Sequence, residues 1–298
     1  MKRVYFETRS SFALVRVSGE DRFSFLQGQF TADLRPLAEG QGASVYGLFL
    51  DNRGKMVTDA FIQASKEEFV VYAPSVEPEV LIERLDSYLI ADEVELEDMS
   101  GDYSIVTLSG EAETPGDDEG IYRFPSRRWP APAFDYLLAD EKKKAFLDGF
   151  GDKEMTEAEP GTVAENRVLH NLPRVPQDTG PRLLPQEAGF ENCVCYTKGC
   201  FLGQEVMARF KNFGARRRGL FPVRIDGENL PEPPFSLALN EKKGGEMISL
   251  IRMPEGSGLG FAMLPLEWEH SNGGWSTTTG AINAVEILKS SPGYHERK

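Results

Sequence analysis

The chain has 298 residues, 40% of them hydrophobic and 27% charged, a length that holds one large domain or two to three small ones and a composition unlike that of long disordered segments. Its formal net charge of −14 repels nucleic-acid backbones and anionic membranes on average. No apolar run approaches the ~18 residues that spanning a bilayer requires, and Met1-Lys2-Arg3-Val4-Tyr5-Phe6-Glu7 has no apolar stretch behind its basic pair, so we expect a cytoplasmic protein without a secretory signal, a membrane partner or direct contact with nucleic acid.

In chain order, Phe12 to Val17 is short, β-branched and aromatic, and predicts a strand. After Ser18-Gly19, Asp21 to Leu26 predicts a short helix capped near its start and ended at Gly28. Ser44 to Leu50 and Lys55 to Gln63 predict strands joined by the hairpin turn Asp51-Asn52-Arg53-Gly54. Phe69 to Ala73 predicts another strand. Val76, Val80, Leu81, Leu85, Tyr88 and Leu89 form one helical stripe. Tyr103 to Leu108 and Asp135 to Leu138 predict strands, and Asp140 to Phe150 a charged helix. Val163 to Leu172 predicts a helix, followed to Pro185 by an extended loop rich in Pro and Gly. Leu220 to Ile225 begins a new region. Beyond the break at Pro231, Pro233 and Pro234, three short segments, Met247 to Arg252, Gly258 to Met263 and Thr277 to Ile287, predict a small β-barrel or sandwich. The elements lack a regular βαβ rhythm, so the fold class is α+β with antiparallel sheets.

Cys193, Cys195 and Cys200 are odd in number and share one segment. Their count argues against a disulfide framework, and with His170, His270 and His295 scattered, no structural zinc is expected. The densest chemical signal is Lys198-Gly199-Cys200-Phe201-Leu202-Gly203-Gln204-Glu205. Glycines on either side of the cysteine permit φ > 0 and close backbone approach. Gln204 and Glu205 stand where a helix can start, and Lys198 is near enough in sequence to stabilise a thiolate. The competing reading is a buried structural cysteine in a tight loop. From Lys198 to Arg218 six basic residues face Glu205 alone. Such an island in an acidic chain suits one small anionic ligand. Arg216-Arg217-Arg218 reads either as a solvated face or as a steering patch. Asp59, past the hairpin turn, reads either as a carboxylate that accepts a hydrogen bond or orients a nucleophile or as a solvated or hairpin-capping group. Arg167 either pairs with an internal carboxylate or touches a ligand.

Lys198–Glu205 resembles the signature of the YgfZ family, relatives of the T-protein of the glycine cleavage system. Ala208-Arg209 continues the match, and Arg218-Gly219-Leu220-Phe221-Pro222-Val223 is similar to the branch containing the mitochondrial iron–sulfur assembly factor. Leu26-Gln27-Gly28-Gln29 with Thr31 and Asp33, and Tyr46 to Asp59, resemble further family segments, so the likeness spans nearly the whole chain. It implies three lobes in a ring around a central cavity, with residues 1–218 forming the folate-binding, aminomethyltransferase-like region of two interleaved α+β lobes and residues 219–298 a C-terminal β-barrel. It also implies that tetrahydrofolate or a one-carbon derivative binds, with Cys200 and Asp59 in the chemistry and Lys198, Gln204, Glu205, Arg167 and Tyr46 around the cofactor, and no metal. The partners implied are folate and iron–sulfur client proteins, among them enzymes that thiolate tRNA. The alternative is a folate-dependent aminomethyltransferase. Against it stands Leu169, at the position where the T-protein has a pterin-contacting glutamate; Asn171 also replaces a usual glycine.

Overall fold

The computed structural model describes residues 4–9, 11–40, 44–65, 67–109, 120–130, 132–150, 155–214, 216–227, 229–253, 256–271, 274–277, 282 and 284–288. The chain divides into two compact units: Met1–Phe49 with Thr58–Val163 and Thr197–Phe201, and Leu50–Val57 with Ala164–Tyr196 and Leu202–Lys298. The elements up to residue 157 are, in order, β1 (Val4–Arg9), β2 (Ala13–Ser18), α1 (Arg22–Gln29), α2 (Arg35–Ala38), β3 (Val45–Leu50), β4 (Met56–Ser65), β5 (Glu68–Ala73), α3 (Pro78–Asp86), β6 (Glu95–Asp98), β7 (Tyr103–Ser109), β8 (Ile121–Pro125), β9 (Ala133–Ala139), α4 (Asp140–Asp148) and β10 (Met155–Glu157). They form two five-stranded sheets, β3-β4-β5-β2-β6 and β10-β1-β7-β9-β8. All the registered pairs are antiparallel except β1 with β10.

The period-2 alternation of strand side chains divides these residues between cores. Ala13, Val15 and Val17 of β2, Ala60 and Ile62 of β4 and Phe69, Val71 and Ala73 of β5 face one cluster with Leu26 of α1, Leu37 of α2 and Leu81 and Leu85 of α3. Their neighbours Leu14, Phe61, Val70 and Tyr72 turn to the opposite face and meet Ile105, Phe124 and Leu137 of the other sheet. That sheet's outer face, with Val106, Leu108, Tyr136 and Leu138, takes Phe146 from α4. The unit is therefore layered helix–sheet–sheet–helix. Both faces of the central strands are covered, which is why Phe69 to Ala73 reads as an unbroken apolar run. Each large side chain buried here contributes about 1.5–3 kcal/mol.

Two local expectations change. The stripe from Val76 to Leu89 yields only α3, because Tyr88 and Leu89 belong to the turn that follows. Asp21 precedes α1 without a side-chain cap; its carboxylate instead accepts the Glu93 amide at 2.9 Å.

α5 (Pro160–Leu169) belongs to the second unit from Ala164 onward; two residues past its end Asn171 has a φ of +52°, a conformation in which asparagine substitutes for glycine. After α6 (Gln204–Phe213), strands β11 (Arg218–Asp226), β12 (Phe235–Leu239), β13 (Lys242–Arg252), β14 (Ser257–Pro265), β15 (Trp275–Thr277) and β16 (Ala284–Ile287) follow. They make one sheet of order β15-β12-β13-β14-β11-β16. Register shifts at Leu237/Ala238 and Met247/Ser249 increase its curl around Phe221, Val223, Leu237, Met247, Leu264, Trp268 and Trp275. The expected barrel is realised as a curled half-barrel sheet, with β15 and β16 as edges among the described residues. Of the expected strand from Thr277 to Ile287, residues 278–281 and 283 lie outside the described residues. No helix among the described residues is long and apolar enough to cross a membrane.

Candidate functional site

The hairpin of β3 and β4 puts two polar groups into the aromatic layer of the first unit. Tyr46 packs on Phe61 with ring centroids 4.7 Å apart, and its hydroxyl donates to Asp59 Oδ2 at 2.7 Å. Asp59 is 1% exposed, so the solvated reading fails. Its other oxygen, Oδ1, has no hydrogen-bond partner among the described residues. Burial pushes this carboxyl above the ordinary aspartate range; the Tyr46 hydrogen bond and the positive charge of Arg127 pull the other way without cancelling it. A buried acceptor left open in a native interior calls for an explanation.

Arg127 was not singled out from the sequence. It lies after β8 in Ser126-Arg127-Arg128-Trp129, is 4% exposed and sits with its guanidinium carbon 4.8 Å from the Tyr46 ring centroid. Its only sequence signal is a pair of arginines within a Pro- and Trp-bearing loop.

The Lys198–Glu205 signature is divided between the two units. In the first, Lys198 is buried and its ammonium donates to the carbonyls of Phe30 and Ala32, both at 2.7 Å, with the Phe201 ring 5.5 Å away. Lys198 was expected to stabilise a Cys200 thiolate or bind a cofactor. In the structure its ammonium bonds two backbone carbonyls and so anchors the segment. Cys200, between buried Lys198 and buried Phe201, is exposed, so the buried structural cysteine is excluded. Gly199 has no other atom within 4 Å of a Cβ added to it.

Gly203 does need to be glycine. It caps α6 with φ +84°, and a Cβ would lie 3.1 Å from Asp51 O and from Gly54 Cα. Within the second unit the hairpin turn and the signature thus meet backbone to backbone, and Gln204 and Glu205 start the helix as expected. Arg167 is 2% exposed and donates to Asp178 at 2.5 Å and to Leu172 O at 3.2 Å. The internal-carboxylate alternative is the one realised. Burial opposes the Asp178 charge, but Arg167 and Arg174 outweigh it and hold the carboxyl below its usual range. Cavities of about 520 and 460 Å³ open in this unit; Asn171, Arg216 and His270 help line the first and Arg218 the second, and neither lining includes Tyr46, Asp59, Arg167, Lys198, Cys200, Gln204 or Glu205.

Residues 3–113 match the model of the GCVT N-terminal domain. Glycine cleavage system aminomethyltransferase T from Bartonella henselae superposes with a TM-score of 0.75 over 96% of this chain and 85% of that one, at 17% identity. The mixed α/β fold is that of the T-proteins. Among curated sequences, the tRNA-modifying protein YgfZ of Photobacterium profundum is 24% identical over 278 residues, 85% of this chain and 81% of that protein. The YgfZ of Edwardsiella ictaluri is 26% identical over 266 residues, 81% and 78% of the two chains. Over most of its length the chain is thus similar to YgfZ proteins, and its N-terminal part to the GCVT domain.

Proposed function

We propose that this protein is a tetrahydrofolate-binding accessory factor of tRNA modification, which supports the assembly or repair of iron–sulfur proteins. The observation that carries the folate reading is Asp59: a carboxylate 1% exposed, fixed on one oxygen by Tyr46 and open on the other, is built to receive an N–H donor, and pteridines are rich in such groups. When bound, tetrahydrofolate supplies a one-carbon carrier. Tyr46 and Asp59 hold and orient it, Gln204 and Glu205 belong to its surroundings by the signature, and Arg167 acts through the fold that it stabilises. Cys200, exposed between two buried anchors, is the thiol offered to a client. In this reading residues 1–218 form the folate-binding region and residues 219–298 the terminal lobe, arranged as a three-lobed ring around a central cavity. The link to tRNA modification comes from the names of the YgfZ relatives. Leu169 gives no support to aminomethyl transfer.

Isothermal titration with tetrahydrofolate tests the folate part. Saturable heat is expected for the native chain, with stabilisation of about 2.7 kcal/mol at 100 times Kd, and at least tenfold weaker binding for Asp59→Asn. Absence of heat and of a thermal shift at millimolar ligand rejects folate binding. For the thiol, Cys200→Ala should remain folded and fail to restore iron–sulfur enzyme activity in a deletion strain, whereas full rescue removes Cys200 from the mechanism.

A further inference from the structure

Tyr46 and Asp59 do not account for the whole of the buried polar cluster in the first unit. A cation placed in an interior has a large desolvation cost, offset only by specific partners. Arg127, 4% exposed, lies over the face of Tyr46 at 4.8 Å. A guanidinium within ~6 Å of a ring centroid is attracted by the ring's negative face. The same residue acts electrostatically on Asp59; among the described residues, the charged and titratable groups that bear on this carboxyl are Tyr46 from β3 and Arg127 from the loop after β8. One side chain thus holds the ring whose hydroxyl donates to Oδ2 at 2.7 Å and places positive charge near the carboxyl whose Oδ1 stays open.

We infer that Arg127 is a positioning residue of the Tyr46–Asp59 site: it clamps the tyrosine ring from one face and keeps the aspartate in the form whose Oδ1 accepts an N–H from a ligand. The inference rests on the reading of Tyr46 and Asp59 as the folate-facing pair. Its two effects are separable. The charge of Arg127 lowers the proton affinity of Asp59, so Arg127→Met, which removes the charge, moves the Asp59 titration to higher pH. Arg127→Lys keeps the charge but loses the planar contact with Tyr46, so it weakens ligand binding while leaving the titration nearly in place.

The experiment has two arms on the full chain. In the first, the carboxyl carbon shift of Asp59 is followed by NMR against pH without ligand. The midpoint should rise by about one unit in Arg127→Met, in line with the loss of an opposite charge that acts on it, and stay near that of the native chain in Arg127→Lys. In the second, tetrahydrofolate affinity is measured across pH. The native chain should bind more weakly as pH falls and Asp59 takes up its proton; in Arg127→Met the same weakening should be displaced to higher pH by as much as the Asp59 midpoint moves. A midpoint that does not move in Arg127→Met overturns the inference, whatever happens with ligand. If Asp59→Asn abolishes binding and both Arg127 variants bind as the native chain does, the inference fails while the folate reading stands. If the native chain binds no tetrahydrofolate, the folate reading fails; a displaced midpoint then still supports the charge effect, and an unmoved one rejects it.

Discussion

At the scale of single residues, Asp59 and Asp178 are opposite uses of a buried carboxylate. Asp178 has Arg167 and Arg174 beside it and is held ionised. Its folded-state pKa is depressed, so its contribution to stability is fully present above the unfolded value of ~3.9 and fades as pH falls toward the folded value. Asp178→Asn leaves the Arg167 charge buried without its carboxylate and should cost about 3–5 kcal/mol by urea denaturation at pH 7. Asp59 runs the other way. Its pKa is raised, so the folded state binds the proton more tightly than the unfolded chain, and stability declines as pH climbs from the ordinary carboxylate range through the folded value. Asp59→Asn should therefore melt at a higher temperature than the native chain at pH 7, with the gap closing as pH drops below the ordinary carboxylate range. A lower melting temperature at neutral pH would contradict this. A buried group whose ionisation opposes folding fits a functional site.

At the scale of elements, Gly203 and Gly54 show what the signature is for. Gly54 has φ +72°, and a Cβ there would sit 2.8 Å from Met207 Cε. Gly203, left-handed at the start of α6, faces Asp51 O and Gly54 Cα. Gly203→Ala adds a left-handed alanine, about 1–2 kcal/mol, to a contact that has no room. We expect a loss of at least 2 kcal/mol in denaturant unfolding; an unchanged midpoint would show that the turn and helix separate easily. The turn and the helix start were each legible in the sequence, from Asp51-Asn52-Arg53-Gly54 and from Gly203-Gln204-Glu205. Their contact was not, because it joins segments about 150 residues apart. Strands with β-branched and aromatic runs, such as Phe69 to Ala73, were equally legible. Glu95–Asp98 was not, since an edge strand of acidic residues carries no apolar period. Val4–Arg9, Ile121–Pro125 and Phe235–Leu239 were also missed, short strands beside breaks in the pattern. At the site, the likeness pointed to Tyr46 and Asp59, but their burial and mutual hydrogen bond emerged only from the packing. Arg127, reached through the sheet-on-sheet layer, had no local pattern to mark it.

At the scale of the whole molecule, the path of the chain matters more than any one lobe. The second unit collects residues from the hairpin tip, the middle and the C-terminal part. Val168 of α5 packs on Leu259 and Phe261 of β14, and the Glu187 carbonyl accepts the Leu220 amide. A fragment of residues 219–298 lacks these partners and exposes that outer apolar face. Expressed alone, it should give a poorly dispersed NMR spectrum or aggregate; sharp, native-like resonances would mark it as an autonomous domain.

The anchor made by Lys198 has a consequence for synthesis. The carbonyls of Phe30 and Ala32 receive their ammonium from a residue 168 and 166 positions later. At about 5–20 residues per second, a ribosome takes on the order of ten to thirty seconds to deliver it. Through that interval the nascent N-terminal sheets must wait, two polar groups short of their final form, and only the emergence of the cysteine-bearing segment lets the first half lock.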